Sequence, residues 1–463
     1  MPATTLYSAR WVLPIAQPVI EHGAVLVCGD AIRWVGKRSE LQSADNASLI
    51  WDNEVNLGEA VLMPGLVNAH SHLELTALRG FLEGFAFESW LQTLNRVRRD
   101  QLSRADLLIS ARVGVSEALK NGITTLADTT ESALPLQAMR ELGVRGIGYV
   151  EVFGPDPAVC DTAIANLERR VNELREVDTD LVKTGISPHA PYTVSAKLFT
   201  SAAAMSRASE LPMAIHIAES MAEVLYVRDG SGPFAGALRV RDVPVAPQAR
   251  SPVALLHDCG VLEASPLLIH AIQIDEADLE LIARSTATVV HCPISNLKLG
   301  HGVAPLDRML AWGVPTGLGT DSVASNDCMH LLDEARQAAL LHSLRSGQPD
   351  SLDAHSALEL ATLGGARALG LGDSIGSLEP GKCADMVAFP LNAADCGPVY
   401  DPAVTLVHVL VGRARASLVT VAGSVLVRDG ELCGSANTLA RESAARLDDV
   451  AARLVEWRKQ HFK

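Results

Sequence analysis

Two rhythms of apolar residues alternate along this chain. Through the first sixty residues the apolar positions fall in short β-rich runs, Thr5–Trp11, Val19–Cys28 and Ala31–Val35, punctuated by Gly23, Gly29–Asp30 and Gly36. They predict a small sheet, with one helix at Arg38–Ala44. From Val61 the pattern changes to strand-length apolar runs separated by stretches of helical period. Eight strands are predicted: Val61–Val67, Ile123–Asp128, Arg145–Val152, Val182–Ser187, Met213–Ile217, Leu267–His270, Thr288–His291 and Pro315–Gly319. Helices fill the gaps. Ala105–Asn121 closes on Asn121–Gly122, Ala133–Leu142 closes on Gly143, and Pro157–Val177 and Ser195–Ser209 follow.

Strands alternating with helices over this length predict an α/β fold, a (β/α)8 TIM-like barrel. A doubly wound sheet would carry a Gly-rich phosphate loop after its first strand, and none is present. One segment breaks the rhythm. Arg228–Leu262 is rich in Gly, Pro and Arg and predicts a long loop over the barrel mouth. Helices return at Cys328–Ser346 and Ser351–Leu369. Short strands with turns then resume at Gly376–Phe389 and Thr405–Gly430. The expected organisation is a composite β-sandwich built from residues 1–60 and 371–435, a barrel over 61–370, and a charged amphipathic helix at 436–463.

Composition narrows the class. Hydrophobic residues make up 48% and charged residues 20%, as in an ordinary globular enzyme. A net charge of −15 argues against a nucleic-acid groove. The eight cysteines contain no C-x-x-C pair and read as free thiols of a reducing compartment. Neither a signal peptide nor a run of membrane-span length is evident, so the expected location is the cytoplasm, with a small molecule as partner.

Candidate chemistry stands at the strand ends, where (β/α)8 barrels place their active sites. The first strand offers His70 and His72, whose spacing of two puts both imidazoles on one face. The fourth offers His189, the fifth His216 and Glu219, the sixth His270, the seventh His291 and the eighth Asp321. Three neutral imidazoles and one carboxylate, His70, His72, His216 and Asp321, make a four-ligand site for one divalent metal ion. Such an ion lowers the pKa of water from about 15.7 toward roughly 7. Glu219, three residues past His216, is placed to protonate a ring nitrogen or leaving group. His270 is placed to orient the water, Asp321 to take its proton, and His189 to touch substrate. His291 reads as structural.

The elements PGLVNAHSHLE, SPHAPYTVS, HIAES, HCPISN, GTDSVASN and GSLEPGKCADMVAF, in this order, resemble the amidohydrolase superfamily. Within it they are similar to the branch acting on aromatic nitrogen heterocycles. That branch includes S-adenosylhomocysteine/methylthioadenosine, guanine and aminodeoxyfutalosine deaminases, and triazine hydrolases. The resemblance covers nearly the whole chain. It implies a metal-dependent aminohydrolase acting on carbon–nitrogen bonds, with the metal ligands, proton-transfer residues and substrate contact named above. The ion would be Zn2+, with Fe2+ or Mn2+ accepted by the same ligands. The resemblance also suggests a homodimer. Binuclear branches use a carboxylated lysine at the end of the fourth strand; here His189 follows that strand and Lys183 sits near its start, which favours one metal.

Candidate substrate contacts are Glu74, Arg79, Trp90, Glu151 and His189. Trp90, in FESWL, resembles the adenosine-type deaminases, but the glutamate by which they grip ribose falls at Arg99 here. Glu74, in HSHLEL, and the stretch Ala218–Ala237 resemble aminodeoxyfutalosine deaminases. The benzoate of that substrate calls for an arginine, from among Arg79, Arg96, Arg98 and Arg99. Glu74 can instead orient a metal-binding histidine.

Overall fold

Period-two runs at both ends of the chain join in one sheet. Thr4–Val12 pairs antiparallel with Ile20–Cys28, which pairs with Ala31–Lys37. On its other side Thr4–Val12 runs parallel to Asn53–Asn56 and to Ala60–Pro64. Ala60–Pro64 is antiparallel to Met386–Pro390, and Leu418–Val421, Ser424–Arg428 and Glu431–Leu432 complete a nine-stranded sheet. Alternation decides the faces: Leu6, Ala24 and Leu26 pack on one side, and their neighbours Tyr7 and Val25 on the other. The structure, a computed structural model, describes residues 2–43 and 49–461.

The strands that position the site are β1 (Leu66–Ser71), β2 (Ile123–Thr130), β3 (Arg145–Val152), β4 (Val182–Pro188), β5 (Ala214–Ile217), β6 (Leu267–His270), β7 (Thr288–His291) and β8 (Thr316–Leu318). β1 to β4 pair in parallel in sequence order, and so do β5 to β8. Two seams close the ring. At one, the Ile186 amide donates to Pro212 O at 2.8 Å. At the other, the Asp321 amide donates to His70 O at 3.0 Å. Every residue of β2 and of β3 is buried, as strands covered on both faces require.

Helices wrap the ring. In chain order they begin with α1 (Phe87–Gln101), α2 (Arg104–Lys120), α3 (Leu134–Leu142), α4 (Cys160–Arg175) and α5 (Ala196–Ser209). Local chemistry sets their ends. Ser103 caps α2, its Oγ accepting from Asp106 N at 3.2 Å while Asp106 Oδ2 accepts from Ser103 N at 2.9 Å. Gly143 ends α3 in the left-handed conformation that glycine adopts without penalty. Among the described residues no helix is long and apolar enough to cross a membrane.

The structure revises four expectations. The run Val61–Val67 is two strands: Ala60–Pro64 belongs to the terminal sheet and Leu66 opens the barrel. All of it is buried, so hydrophobicity does not show the division. The marker is Gly65, where a Cβ would stand 2.0 Å from Thr124 Oγ1. Arg228–Leu262 is a loop only in part: it holds the end of α6 (Met221–Asp229), α7 (Gly232–Arg239) and α8 (Pro252–Asp258), with residues 240–251 irregular between them. Its Gly and Pro residues punctuate short helices: Gly230 terminates α6, and Pro252 follows the N-cap Ser251. Thr405–Val409 is helical rather than extended, continuing the turn capped by Asp401. The helix expected at Arg38–Ala44 is a single 3-10 turn, Arg38–Gln42, and Ala44 lies outside the described residues.

One buried ion pair fastens the barrel to the sheet. Arg145, opening β3, donates to both carboxylate oxygens of Asp385 at 2.7 and 3.1 Å, and Asp385 Oδ1 also accepts from Ala422 N at 2.7 Å. Removing one partner leaves a buried charge unpaired. Asp385→Ala should therefore lose about 3–5 kcal/mol of stability in denaturant unfolding. A loss under about 1 kcal/mol would contradict this reading of the pair.

Candidate active site

Strand ends bring the predicted ligands together. His70, the penultimate residue of β1, is buried, and His72 follows the strand with its ring centroid 4.8 Å from that of His70. His70 Nε2 lies 3.2 Å and His72 Nε2 lies 3.5 Å from Asp321 Oδ1, while His216 Nε2 lies 3.4 Å from His72 Nε2. Donors bound about 2.1 Å from one tetrahedral ion stand about 3.4 Å apart, so these spacings suit a single divalent metal. Their charges suit it too. Burial pushes the imidazole of His70 down to about 4, against the pull of Asp321. Burial and the neighbouring imidazoles push His72 and His216 down to about 3. Burial alone would raise Asp321, but His70 and the other imidazoles hold its carboxyl well below the usual range. At neutral pH the cluster is therefore three neutral nitrogens and one carboxylate.

Supporting contacts fix each donor's direction. His216 Nδ1 donates to His189 O at 3.2 Å, which leaves Nε2 for the ion. Ser295 Oγ donates to Asp321 Oδ2 at 2.6 Å, leaving Oδ1 toward the imidazoles. Asp321 and His270 both hold positive φ, +57° and +75°. Non-glycine residues are kept in that region only where surrounding contacts over-determine them. Lys183 is exposed, on the outside of the barrel, so the position of a bridging carboxylated lysine is not filled by it.

The proton-transfer candidates face this cluster. Glu219 Oε1 lies 3.6 Å from His270 Nε2 and 3.3 Å from His301 Nε2. Burial raises Glu219, but the two imidazoles outweigh it and bring the carboxyl down to about 2. His270 Nδ1 lies 2.9 Å from Asn296 Oδ1, which selects the tautomer with Nε2 free to accept. The sequence reading missed His301, Asn296 and Ser295. The last two sit inside HCPISN, as polar residues on an otherwise apolar stretch. His301 follows no strand; it packs edge-on against Phe87, ring centroids 4.4 Å apart, and its backbone oxygen accepts from Gln273 Nε2 at 2.6 Å. His291 is buried, with Nδ1 3.4 Å from Asn296 Nδ2, and is not among the residues lining the two compartments beside the cluster.

Two connected compartments open beside the cluster. The inner one, about 80 Å³, is walled by Phe87, Trp90, Tyr192 and Leu299 and floored by Glu219 and His270. Trp90 is fixed there by its Nε1 donating to Ala324 O at 3.3 Å. Helix α7 backs the wall, its Phe234 stacked on Tyr192 at 3.9 Å between centroids. The outer compartment, about 360 Å³, is lined by Glu74, Arg98, Glu131, Glu151 and Arg241. His72, Leu91, His189 and Tyr192 border both.

The predicted substrate contacts separate in space. Trp90 and His189 face the cavities, and His189 Nδ1 is 2.8 Å from Thr193 Oγ1. Glu74 borders the outer compartment with its carboxylate already engaged by Arg98 at 2.6 Å, by Thr130 at 2.8 Å and by Ser132. Among the described residues it makes no hydrogen bond or ion pair to a metal-binding histidine. Glu151 lines the same compartment. Burial, with Glu74 nearby, raises it to about 8. Arg79 is not brought in: it pairs with Glu117 on the outside, 39% exposed. Arg96 and Arg99 also lie outside, beside Asp100. Of the four candidate arginines Arg98 alone borders the cavity, and Arg241 joins it from the segment after α7.

Residues 61–425 match the sequence profile of the amidohydrolase family. The 5-methylthioadenosine/S-adenosylhomocysteine deaminase of Moorella thermoacetica is 32% identical over 91% of this chain and 93% of its own. That of Nitratidesulfovibrio vulgaris strain Miyazaki F is 34% identical over 89% of both chains. A solved adenosine deaminase from Xanthomonas campestris, with bound zinc, superposes with a TM-score of 0.83 at 30% identity, covering 97% of this chain and 99% of its own. With a closed parallel barrel and a composite terminal sheet, the chain belongs to the amidohydrolase family and is a hydrolytic enzyme acting on carbon–nitrogen bonds.

Proposed function

We propose that the enzyme removes the exocyclic amine of an adenine-type nucleoside by hydrolysis. The observation that carries this reading is Glu219, set between His270 and His301 at the floor of an aromatic slot and facing the four metal-binding groups. A divalent ion there, zinc in our reading, supplies Lewis-acid activation of water. Glu219 enters as a carboxylate, so the proton it gives to a ring nitrogen must first come from the attacking water. His270 orients that water through Nε2. Oxygen adds to the carbon bearing the amine, the C–N bond breaks, and ammonia leaves with a proton while the ring keeps the oxygen. Phe87, Trp90 and Tyr192 hold the flat base.

The favoured substrate is aminodeoxyfutalosine, which would place the enzyme in the alternative menaquinone route. The sequence features HSHLEL and Ala218–Ala237 support it. So does Arg241, exposed at the cavity and without an ion pair among the described residues, a fitting partner for a distal carboxylate. A second reading, S-adenosylhomocysteine or methylthioadenosine, is favoured by what the Moorella and Nitratidesulfovibrio relatives are named for. Relative kcat/KM for the three nucleosides separates the readings, with the highest value expected for aminodeoxyfutalosine. Activity confined to guanine or a chlorotriazine would sink the nucleoside assignment.

A further inference from the structure

Five carboxyl groups border the two compartments, and four are engaged. Asp321 is held by His70 and Ser295, Glu219 faces His270 and His301 at 3.6 and 3.3 Å, Glu74 is held by Arg98, Thr130 and Ser132, and Glu131 by Arg98. Glu151 differs. It is only 7% exposed, yet among the described residues its carboxyl has no hydrogen bond or ion pair. Its one recorded hydrogen bond is from Arg170 to its backbone oxygen. A buried carboxyl without a partner is costly, and its donors must come from what fills the cavity.

Its position narrows what those donors are. Glu151 is the penultimate residue of β3, and a carboxylate oxygen lies within 4.8 Å of ring nitrogens of both His189 and His216. It therefore stands at the step from the inner compartment to the outer one, with His189 bordering both. A base seated over Glu219 and His270 puts its glycosidic substituent at that step. Vicinal hydroxyls suit it: one can donate to each oxygen, and such donors favour the ionised form over the protonated form that burial favours in the empty site.

Resting on the deaminase reading above, we infer that Glu151 is the receptor for the sugar hydroxyls of the nucleoside, and so sets a requirement for a ribo- rather than a deoxyribo-substrate. Arg98, tied to Glu74 and Glu131, keeps the neighbouring carboxylates from competing for the same donors.

The test is kcat/KM for adenosine, 2′-deoxyadenosine and 3′-deoxyadenosine with the metal-replete enzyme, Glu151→Ala and Glu151→Gln. The native enzyme should favour adenosine over at least one deoxynucleoside by about 10- to 100-fold, the worth of a hydrogen bond to a charged group. Glu151→Ala should bring that ratio to near one, and Glu151→Gln, which keeps one acceptor, to an intermediate value. Each ratio is taken within one preparation, so partial unfolding of a variant does not move it. Adenosine turnover with an unchanged ratio in Glu151→Ala, or no discrimination by the native enzyme, overturns the inference and leaves the deaminase reading standing. No turnover of the three overturns the inference, and no turnover of any adenine nucleoside overturns the deaminase reading as well.

Discussion

Replacing His216 by alanine should remove the metal and the activity together. The purified variant should carry less than about one-tenth equivalent of ion, and kcat/KM should fall by at least about 10³-fold, roughly 4 kcal/mol of lost transition-state stabilisation. The size follows from the cluster's construction. His216 is one of four donors, its Nε2 3.4 Å from His72 Nε2, and its tautomer is set by His189 O. Loss even of a group that only orients a ligand costs 10–100-fold in affinity or activity, and loss of a ligand costs more. The barrel should survive, because β5 is held between β6 and the β4 seam by backbone bonds that the substitution leaves in place. Elemental analysis checks the metal and circular dichroism the fold. A folded variant retaining a full equivalent of metal would refute the ligand set.

Glu219→Gln should have the second largest effect and the opposite metal signature. Glutamine keeps the volume but cannot shuttle a proton. Deamination should fall by about 10²- to 10⁴-fold, the usual contribution of a positioned acid–base group, with metal content unchanged. Comparison with a chlorinated heterocycle sharpens the point. Expelling chloride requires no proton on the leaving group, so any such side activity should be hurt less than deamination. Equal losses on both substrates would show that Glu219 acts on the water alone.

The candidate site residues at the strand ends are legible in the sequence because a barrel leaves little else for a polar residue to do at the end of an apolar strand. His70, His72, His216, His270 and Asp321 stand out against runs such as Leu267–Ile269, and the structure gathers them. What escaped depends on pairing that periodicity does not encode. Val61–Val67 reads as one strand because both sheets bury their strands fully, and only the crowding at Gly65 marks the passage between them. In the sequence Arg79 reads as available as Arg98, because the predicted elements place no helix over Phe87–Gln101. Its buried residues Phe87, Trp90, Leu94 and Val97 carry the helical spacing that turns Arg98 inward. His301 has no such local signature. It lies between glycines with φ of +73° and +104°, and long-range contacts from Phe87 and Gln273 accompany its place beside Glu219.

The central claim is that this site hydrolyses the amine from an adenine nucleoside and needs its metal to do so. The most direct measurement is ammonia release from adenosine, compared between metal-replete protein and protein stripped by a chelator. The account predicts one ammonia for each 6-oxopurine formed by the replete enzyme, none from the stripped enzyme, and recovery on adding back a divalent ion. Undiminished ammonia release from stripped protein, or none from the replete enzyme with any adenine nucleoside, would contradict it.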